Sequence, residues 1–202
     1  MRVPNVFNAT QREVLAALEQ RDRQERSAGD RGALSLKAVA PEVGELLYLL
    51  VVQKRATTLV EFGTSHGYST LYLAAAAAQT GGHVHSVDAM PEKTALATAN
   101  LEAAGLIERV TLTTSDGSDF AATLPAAVDF VLVDYPMPAF MPAFPSLRER
   151  TAPGCFLFVD GGPDGYWEQD AVRPFRTLLD EDPAFVTSIL PMNKEQLIAV
   201  RV

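Results

Sequence analysis

The 202-residue sequence is poor in cysteine, in positive charge and in long apolar runs, and each shortage excludes a class of protein. A single cysteine, Cys155, cannot form an internal disulfide, and its place before apolar residues 156–159 predicts a buried, inert thiol. The net charge of −8 argues against DNA, RNA and anionic membrane surfaces as partners. We expect neither a membrane-spanning segment nor a secretory leader, because no apolar run is long enough to span a bilayer and no charged-then-apolar stretch precedes a small-residue cleavage site. We therefore expect a cytoplasmic protein that acts on a small, uncharged or cationic partner.

The most informative stretch is residues 58–73, TLVEFGTSHGYSTLYL, which predicts a strand, a glycine turn and the start of a helix. Such a turn exposes backbone N–H groups and the positive end of the helix dipole, where anionic groups bind. Glu61 strengthens the signal, because an acid in an apolar strand is costly to bury without a partner. Ser65 stands where the dinucleotide fingerprint has its second glycine. The turn therefore predicts a cofactor site for an adenosine-containing ligand other than NAD.

Strands and helices alternate along the rest of the chain. Thr10 and Glu13 predict a capping box for a first helix, whose charge-rich continuation at residues 21–32 predicts a solvated helix end and a mobile loop. Pro41 and Pro91 are placed to open further helices. After the first strand, further strands are predicted at residues 83–87, 109–114, 129–133, 155–159, 185–190 and 196–202, with a helix at 170–179. This alternation predicts an α/β fold with a mostly parallel sheet covered on both faces.

An acidic residue lies at or near the end of each of the first five strands. Because the carboxyl ends of parallel strands share one edge of a sheet, these acids are expected to converge on one site. For Asp116 and Asp160 a helix cap or turn role is an almost equal alternative. The five acids are Glu61, Asp88, Asp116, Asp134 and Asp160.

Five segments carry a resemblance to a known family: VEFGTSHGYSTLYLA, HSVDAMPEKTALATANLEAAGL, VDFVLVDY, APGCFLFVDGG and LPMNKEQLIAVRV. They resemble the class I S-adenosylmethionine-dependent methyltransferases, in particular the small O-methyltransferases typified by the catechol and caffeoyl-coenzyme A enzymes and their bacterial relatives. The resemblance covers residues 36–202 as one methyltransferase domain, preceded by an N-terminal helix and loop at residues 1–35. It implies a Rossmann-like, doubly wound sheet of seven strands with an antiparallel last strand. It also implies an enzyme that methylates a small-molecule oxygen, and a homodimer.

The same resemblance implies roles for single residues. Asp88 would bind both ribose hydroxyls of S-adenosylmethionine, Asp116 and Gly117 would lie beside its adenine, and Glu61 would lie beneath the glycine loop. Asp134 would sit near the sulfonium and the acceptor, as the catalytic acid or base. The methionine part would be held by Gly63, Ser65, Gly67 and Ser69 with neighbouring backbone groups.

Two departures from the family bear on its divalent metal and its base. Asp134 and Asp160 match two acids that bind the ion in metal-dependent members, but Gly161 replaces the asparagine that completes the set. Met137 replaces the family's catalytic lysine. We therefore expect no tightly bound catalytic metal, with a magnesium ion held by the two aspartates and water molecules as the alternative.

Several other interpretations stay open at this point. His66 is either a general base or a hydrogen-bonded loop residue, with the second favoured. Tyr166 and Trp167 either wall a flat acceptor or pack over the sheet edge. The apolar residues Met137, Phe140, Met141 and Phe144 offer an acceptor-facing surface or belong to the core. Two other functions compete with methyl transfer, a non-catalytic cofactor-binding module and a nicotinamide-dependent oxidoreductase.

Overall fold

The computed structural model describes residues 6–30 and 32–202, so residues 1–5 and 31 of the predicted N-terminal segment lie outside it. Seven strands are present in the described ranges: β1 (Thr58–Phe62), β2 (His83–Asp88), β3 (Val110–Thr114), β4 (Val128–Val133), β5 (Thr151–Gly162), β6 (Phe185–Pro191) and β7 (Glu195–Arg201). The α-helices are α1 (Ala9–Ser27), α2 (Pro41–Lys54), α3 (Tyr68–Thr80), α4 (Pro91–Ala103), α5 (Gly117–Thr123), α6 (Met137–Phe140), α7 (Phe144–Arg150) and α8 (Arg173–Glu181). Short 3₁₀ turns lie at Ile107–Arg109, Met141–Ala143 and Tyr166–Glu168.

The strands form one sheet in the order β3-β2-β1-β4-β5-β7-β6. Strands β1 to β5 pair in parallel, whereas β7 is antiparallel to both of its neighbours. The predicted Rossmann-like, doubly wound sheet with an antiparallel last strand is therefore confirmed. The strand order reverses between β1 and β4, and ligands in such sheets bind outside the carboxyl ends at this point.

Two hydrophobic cores cover the two faces of the sheet. Successive side chains of β1 point to opposite faces of the sheet and show this division. Leu59 belongs to the core under α1, α2 and α3, whereas Val60 and Phe62 belong to the core under α5 to α8. Fully burying one such side chain stabilises the fold by about 1.5–3 kcal/mol. Glu61 faces the first core, so its carboxylate points toward the start of α3.

The start of α1 differs from the prediction. Asn8, not Thr10, caps the helix: its side chain accepts from the Gln11 backbone at 2.9 Å, and the Gln11 side chain accepts from the Asn8 backbone at 3.0 Å. Asn8 and Gln11 thus form a reciprocal capping box two residues before the predicted one, so the helix begins correspondingly earlier, at Ala9. The predicted Thr10–Glu13 capping box is wrong.

The end of α1 also differs, because the helix continues through the charge-rich run to Ser27. Its acids hold the chain that follows: Asp22 accepts from the Ala38 backbone at 3.1 Å, and Glu25 accepts from the Leu36 backbone at 2.6 Å. Arg26 donates to the Ala38 carbonyl at 2.9 Å. The charges therefore fix the 36–38 segment along the helix. The predicted domain boundary between residues 35 and 36 stays a prediction.

Other helix boundaries agree with the sequence. Pro41 and Pro91 open α2 and α4, and Gly105, with φ of +66°, follows the end of α4. Cys155 is buried and unpaired, and burial raises the pKa of its thiol to about 12. Across the part of the chain that the structure describes, the helices are too short or too polar to cross a membrane.

Candidate functional site

A cleft of about 550 Å³ opens at the carboxyl edge of the sheet, at the switch point between β1 and β4. Its charged lining consists of four cations, Arg26, Lys37, Lys93 and Lys194, and three acids, Asp88, Asp134 and Asp160. A larger depression of about 840 Å³ lies on α8, but it is shallow and none of its lining residues belongs to a strand. The cleft is therefore the candidate site.

The loop between β1 and α3 forms the floor of the cleft. Gly63 has φ of +102°, and a β-carbon there would lie 2.0 Å from the Asp134 carbonyl oxygen. Gly67 has φ of +84° and caps α3, whereas Ser65 adopts φ of +48° despite having a side chain. Both glycines are thus required by backbone conformation, and Gly63 also by close approach to β4. This loop leaves room for a ligand against the helix N-terminus.

Asp88 lies at the end of β2 with its carboxylate fixed by two backbone donors. The Ser65 N–H donates to Oδ2 at 2.9 Å, and the Met90 N–H donates to Oδ1 at 3.0 Å. Each carboxylate oxygen has a second lone pair, so Asp88 can accept two further hydrogen bonds from a ligand diol. Only 8% of the residue is exposed, and it lines the cleft.

Glu61 is fully buried beneath the loop and accepts three hydroxyl hydrogen bonds. Ser69, Thr70 and Ser86 each donate to its carboxylate at 2.6 Å. Burial raises the pKa of Glu61 to about 7, although the three hydroxyl donors favour the charged form. This network ties β1 to β2 and to the first turn of α3, so it holds the loop in place.

Asp134 follows β4 and is partly accessible from the cleft, although its carboxyl lies among protein atoms. Burial, and after it the Asp160 carboxylate, raises the pKa of Asp134 to about 7. Among the described residues nothing donates a hydrogen bond to the Asp134 carboxylate, whereas Asp160 accepts from the Lys194 ammonium at 2.6 Å. Asp134 is therefore free to exchange a proton near neutral pH.

The divalent-metal site that the family resemblance implies does not fit this cleft. A β-carbon on Gly161 would lie 1.7 Å from the Glu195 carbonyl oxygen, so the position has no room for a third ligand. In residues 6–30 and 32–202 the histidine, cysteine and acidic side chains form no group of three able to hold a metal ion. Lys194 places a positive charge against Asp160 instead.

The predicted site residues divide into three groups. Gly63, Ser65, Asp88 and Asp134 line the cleft together. The second group, Glu61, Gly67 and Ser69, lies buried beneath it and supports the loop. Asp116 and Gly117 lie at the start of α5, where the exposed Asp116 caps the helix by accepting from the Ser118 and Asp119 backbone. The structure thus bears out the cap alternative for Asp116, while its proximity to adenine stays a prediction.

The remaining candidates are settled by burial. His66 is fully buried and its Nε2 contacts the Leu34 carbonyl at 3.0 Å, so it supports the loop, as favoured. Tyr166 lines the cleft, whereas Trp167 is buried and donates to the Glu195 carbonyl at 3.0 Å. The second core contains Met137, Phe140 and Phe144, with Met141 packed against it, so core packing is the better interpretation.

Sequence reasoning missed the part of the cleft wall that comes from distant segments. Leu36 and Lys37 enter through the 36–38 segment, and the Ser65 hydroxyl donates to the Leu36 carbonyl at 2.8 Å. Lys93 comes from the first turn of α4, and Lys194 from the turn between β6 and β7. Lys194 lies one residue before β7, and the antiparallel pairing of β7 with β5 brings it to the carboxyl end of β5. The sequence predicts the strand but not this pairing, so it held no sufficient signal for Lys194.

Comparisons with known proteins agree with this geometry. The profile of a family described as a methyltransferase domain matches residues 60–161, half of the chain. The catechol O-methyltransferase of Niastella koreensis is 28% identical over 127 residues, which cover 61% of this chain and 57% of that protein. The catechol O-methyltransferase of Mycobacterium tuberculosis is 32% identical over 109 residues, which cover 54% of this chain and 49% of that protein. The chain thus spans about half the length of the curated relatives it matches.

A solved structure shows the same fold over nearly the whole chain. The O-methyltransferase from Bacillus cereus, in complex with SAH, superposes with a TM-score of 0.78 and 24% sequence identity. The superposition covers 99% of this chain and 93% of that one. The N-terminal helix and the last two strands, which lie outside the family profile, are therefore part of the shared fold.

Proposed function

This chain belongs to the methyltransferase domain family, and on that premise we propose that it transfers a methyl group from S-adenosylmethionine to an oxygen of a small molecule. The observation that carries the proposal is the placement of two acids in one cleft. Asp88 has free lone pairs beside the glycine loop, and Asp134 has a carboxylate without a donor from the described residues. The first suits a ribose, and the second suits a group that gives up a proton.

The cleft fits the cofactor on three points of geometry. Gly63 and Gly67 keep the loop open at the N-terminus of α3, where a side chain at Gly63 would collide with β4. Asp88 is fixed by backbone N–H groups, so it accepts two ribose hydroxyls without reorganising. The cleft volume of about 550 Å³ lies within the range of small-molecule sites. When bound, S-adenosylmethionine supplies the methyl group from its sulfonium.

The protein has two tasks, to align the acceptor and to take its proton. Alignment supplies a large share of the rate in an in-line displacement. With a pKa of about 7, Asp134 is matched to general-base work near neutral pH. The acceptor hydroxyl would give its proton to Asp134, and its oxygen would bond to the methyl carbon as the carbon–sulfur bond of the cofactor breaks with its electron pair left on sulfur.

For the acceptor we propose an aromatic alcohol. Tyr135 and Tyr166 line the cleft near Asp134 and Asp160, and such rings suit a flat ligand. Both curated relatives are named catechol O-methyltransferases, which supports the same class. A nicotinamide-dependent oxidoreductase is disfavoured by the family, whereas a cofactor-binding module without activity is the competing proposal, since Met137 replaces the family lysine.

The test is a methyl-transfer assay with labelled S-adenosylmethionine and a panel of phenols, catechols and extract fractions, read by mass spectrometry. We expect Asp134→Asn to lower kcat by about 10²- to 10⁴-fold, the usual contribution of a general base. The matched control is Glu149→Gln, which makes the same carboxyl-to-amide change at an exposed position on α7. Binding of S-adenosylhomocysteine without methylation of any acceptor would instead support the binding module.

A homodimer and a cytoplasmic location are further proposals. The homodimer rests on the family resemblance of the sequence, because single exposed apolar side chains such as Leu49 of α2 and Val186 of β6 are ordinary on a monomer surface. We expect light scattering to give the mass of a dimer, and a monomer at high micromolar concentration would contradict this. Cell fractionation tests the location.

A further inference from the structure

Lys194 is held at the end of the cleft by a close ion pair. Its ammonium lies 2.6 Å from Oδ2 of Asp160, whose side chain is only 4% exposed, while the lysine side chain is 35% exposed to the cleft. An ammonium carries three donors and Asp160 takes one, so the others can face a bound molecule. Lys194 is therefore a charged group with a fixed position and unused hydrogen-bonding capacity.

The topology delivers this lysine to the carboxyl edge of the sheet. Because β7 runs antiparallel to β5, its first residue, Glu195, pairs with Gly162 at the last residue of β5. Lys194 precedes Glu195, and its carbonyl accepts from the Met192 N–H at 2.9 Å to close the turn. The hairpin thus sets the lysine beside Asp160.

The same strand removes the room for a metal ligand. The Glu195 carbonyl occupies the space of a side chain on Gly161, and it also accepts from the Trp167 indole at 3.0 Å. The Gly161 N–H donates to the buried Gln196 side chain at 3.0 Å, which fixes this pairing. The missing ligand and the added lysine are therefore two consequences of one strand placement.

We propose that the Lys194 ammonium takes the position of the divalent cation of metal-dependent relatives and contacts the acceptor oxygen, an inference that rests on the proposed function. The acceptor hydroxyl transfers its proton to the Asp134 carboxylate, the oxygen forms its bond to the methyl carbon, and the carbon–sulfur bond breaks with its electron pair left on sulfur. Lys194 keeps its proton throughout. Its charge stabilises the negative charge that develops on the acceptor oxygen.

The test compares Lys194→Ala, Lys194→Arg and wild type, with Lys54→Ala as the matched control. Lys54 is the last residue of α2, and its ammonium lies 3.7 Å from the β-carbon position of Gly154, at the opposite end of β5. We expect Lys194→Ala to lower kcat/KM for the acceptor roughly 10- to 100-fold, as for loss of a charged hydrogen bond. Binding of S-adenosylhomocysteine should stay at its wild-type value, whereas the melting temperature of Lys194→Ala should fall because the buried Asp160 side chain loses its ion-pair partner. Lys194→Arg keeps a positive charge beside Asp160, so it should restore the melting temperature and recover part of the rate.

A second readout does not depend on activity. Electron paramagnetic resonance should detect more bound Mn²⁺ with Lys194→Ala than with wild type or Lys54→Ala, because Asp134 and Asp160 lose their cation and two carboxylates can hold a hydrated ion. Equal Mn²⁺ binding by wild type and Lys194→Ala would overturn the replacement of the ion. Wild-type kcat/KM in Lys194→Ala would overturn the contact with the acceptor. If wild type methylates no acceptor, the proposed function fails, and the Mn²⁺ measurement still decides what fills this position.

Discussion

The buried Glu61 makes the stability of this protein depend on pH in a direction that can be worked out. Removing a carboxylate from water costs several kcal/mol, whereas each hydroxyl donor to a charged group returns about 1.5–3 kcal/mol. Three hydroxyls donate at 2.6 Å, yet burial prevails and raises the pKa of Glu61 from 4.5 to about 7. The folded protein therefore holds a proton on Glu61 that the unfolded chain releases.

The magnitude follows from the two pKa values. One pKa unit corresponds to about 1.4 kcal/mol, so a rise from 4.5 to about 7 is worth roughly 3 kcal/mol of unfolding free energy. Because the folded pKa is the higher one, this stability is fully present below about pH 4.5 and is lost as the pH rises through about 7. Glu61→Gln cannot titrate, so it should lack this loss.

The assay is urea unfolding of wild type and Glu61→Gln from about pH 5 to about pH 8. The variant should become more stable relative to wild type as the pH rises, by most of the roughly 3 kcal/mol. Asp134 also has a raised pKa, but it is present in both proteins and largely cancels in the difference. Glu102→Gln, exposed on α4, is the control and should run parallel to wild type. If the difference in unfolding free energy between Glu61→Gln and wild type did not change with pH, the three hydroxyls would fully offset the cost of burial, and the reasoning would be refuted.

Three more predictions concern the cleft. Asp88→Ala should weaken S-adenosylhomocysteine binding by about 1.5–3 kcal/mol in calorimetry, and unchanged binding would exclude the ribose assignment. Gly63→Ala should destabilise the fold by roughly 2–4 kcal/mol in urea unfolding, through a positive φ and a clash with β4; Gly81→Ala, with φ of +76° and open space around it, should cost clearly less. Methyl transfer should survive exhaustive chelation with modest loss, and abolition by chelation with full rescue by magnesium would contradict the metal-independent site.

Local signals in the sequence sufficed for most of the fold. Pro41 and Pro91 fix φ for a first helical turn, and Gly105 adopts a positive φ where α4 ends, so these boundaries depend on near neighbours in the chain. Where strands alternate with helices, each helix returns the chain to the starting edge of the sheet, so neighbouring strands pair in parallel. The prediction failed at α1 for the same reason: Asn8 and Gln11 form a capping box as good as Thr10 and Glu13, and sequence alone did not rank the two.

What the sequence could not give were contacts between segments far apart in the chain. The acids near the end of α1 were read as solvated, yet Asp22 and Glu25 bind the backbone of the 36–38 segment and so build one wall of the cleft. Lys194 lies 34 residues from Asp160, and their meeting depends on which strand pairs with β5. Such pairings are set by the whole sheet, because register and strand order decide which turn reaches which edge.

The five acids at the strand ends show how a pattern becomes a set of distinct roles. In sequence they are equivalent, but the structure gives each carboxylate a different environment, and the buried ones need compensation. Glu61 accepts hydrogen bonds from three hydroxyls, and Asp88 accepts from two backbone N–H groups. Asp116 caps the start of α5, and Asp160 pairs with the Lys194 ammonium. Asp134 is left without a donor among the described residues, and burial beside Asp160 brings its pKa to about 7. Glu61 has a similarly raised pKa but lies buried beneath the loop, so Asp134 is the acid with a raised pKa that also lines the cleft and can take a proton from the acceptor.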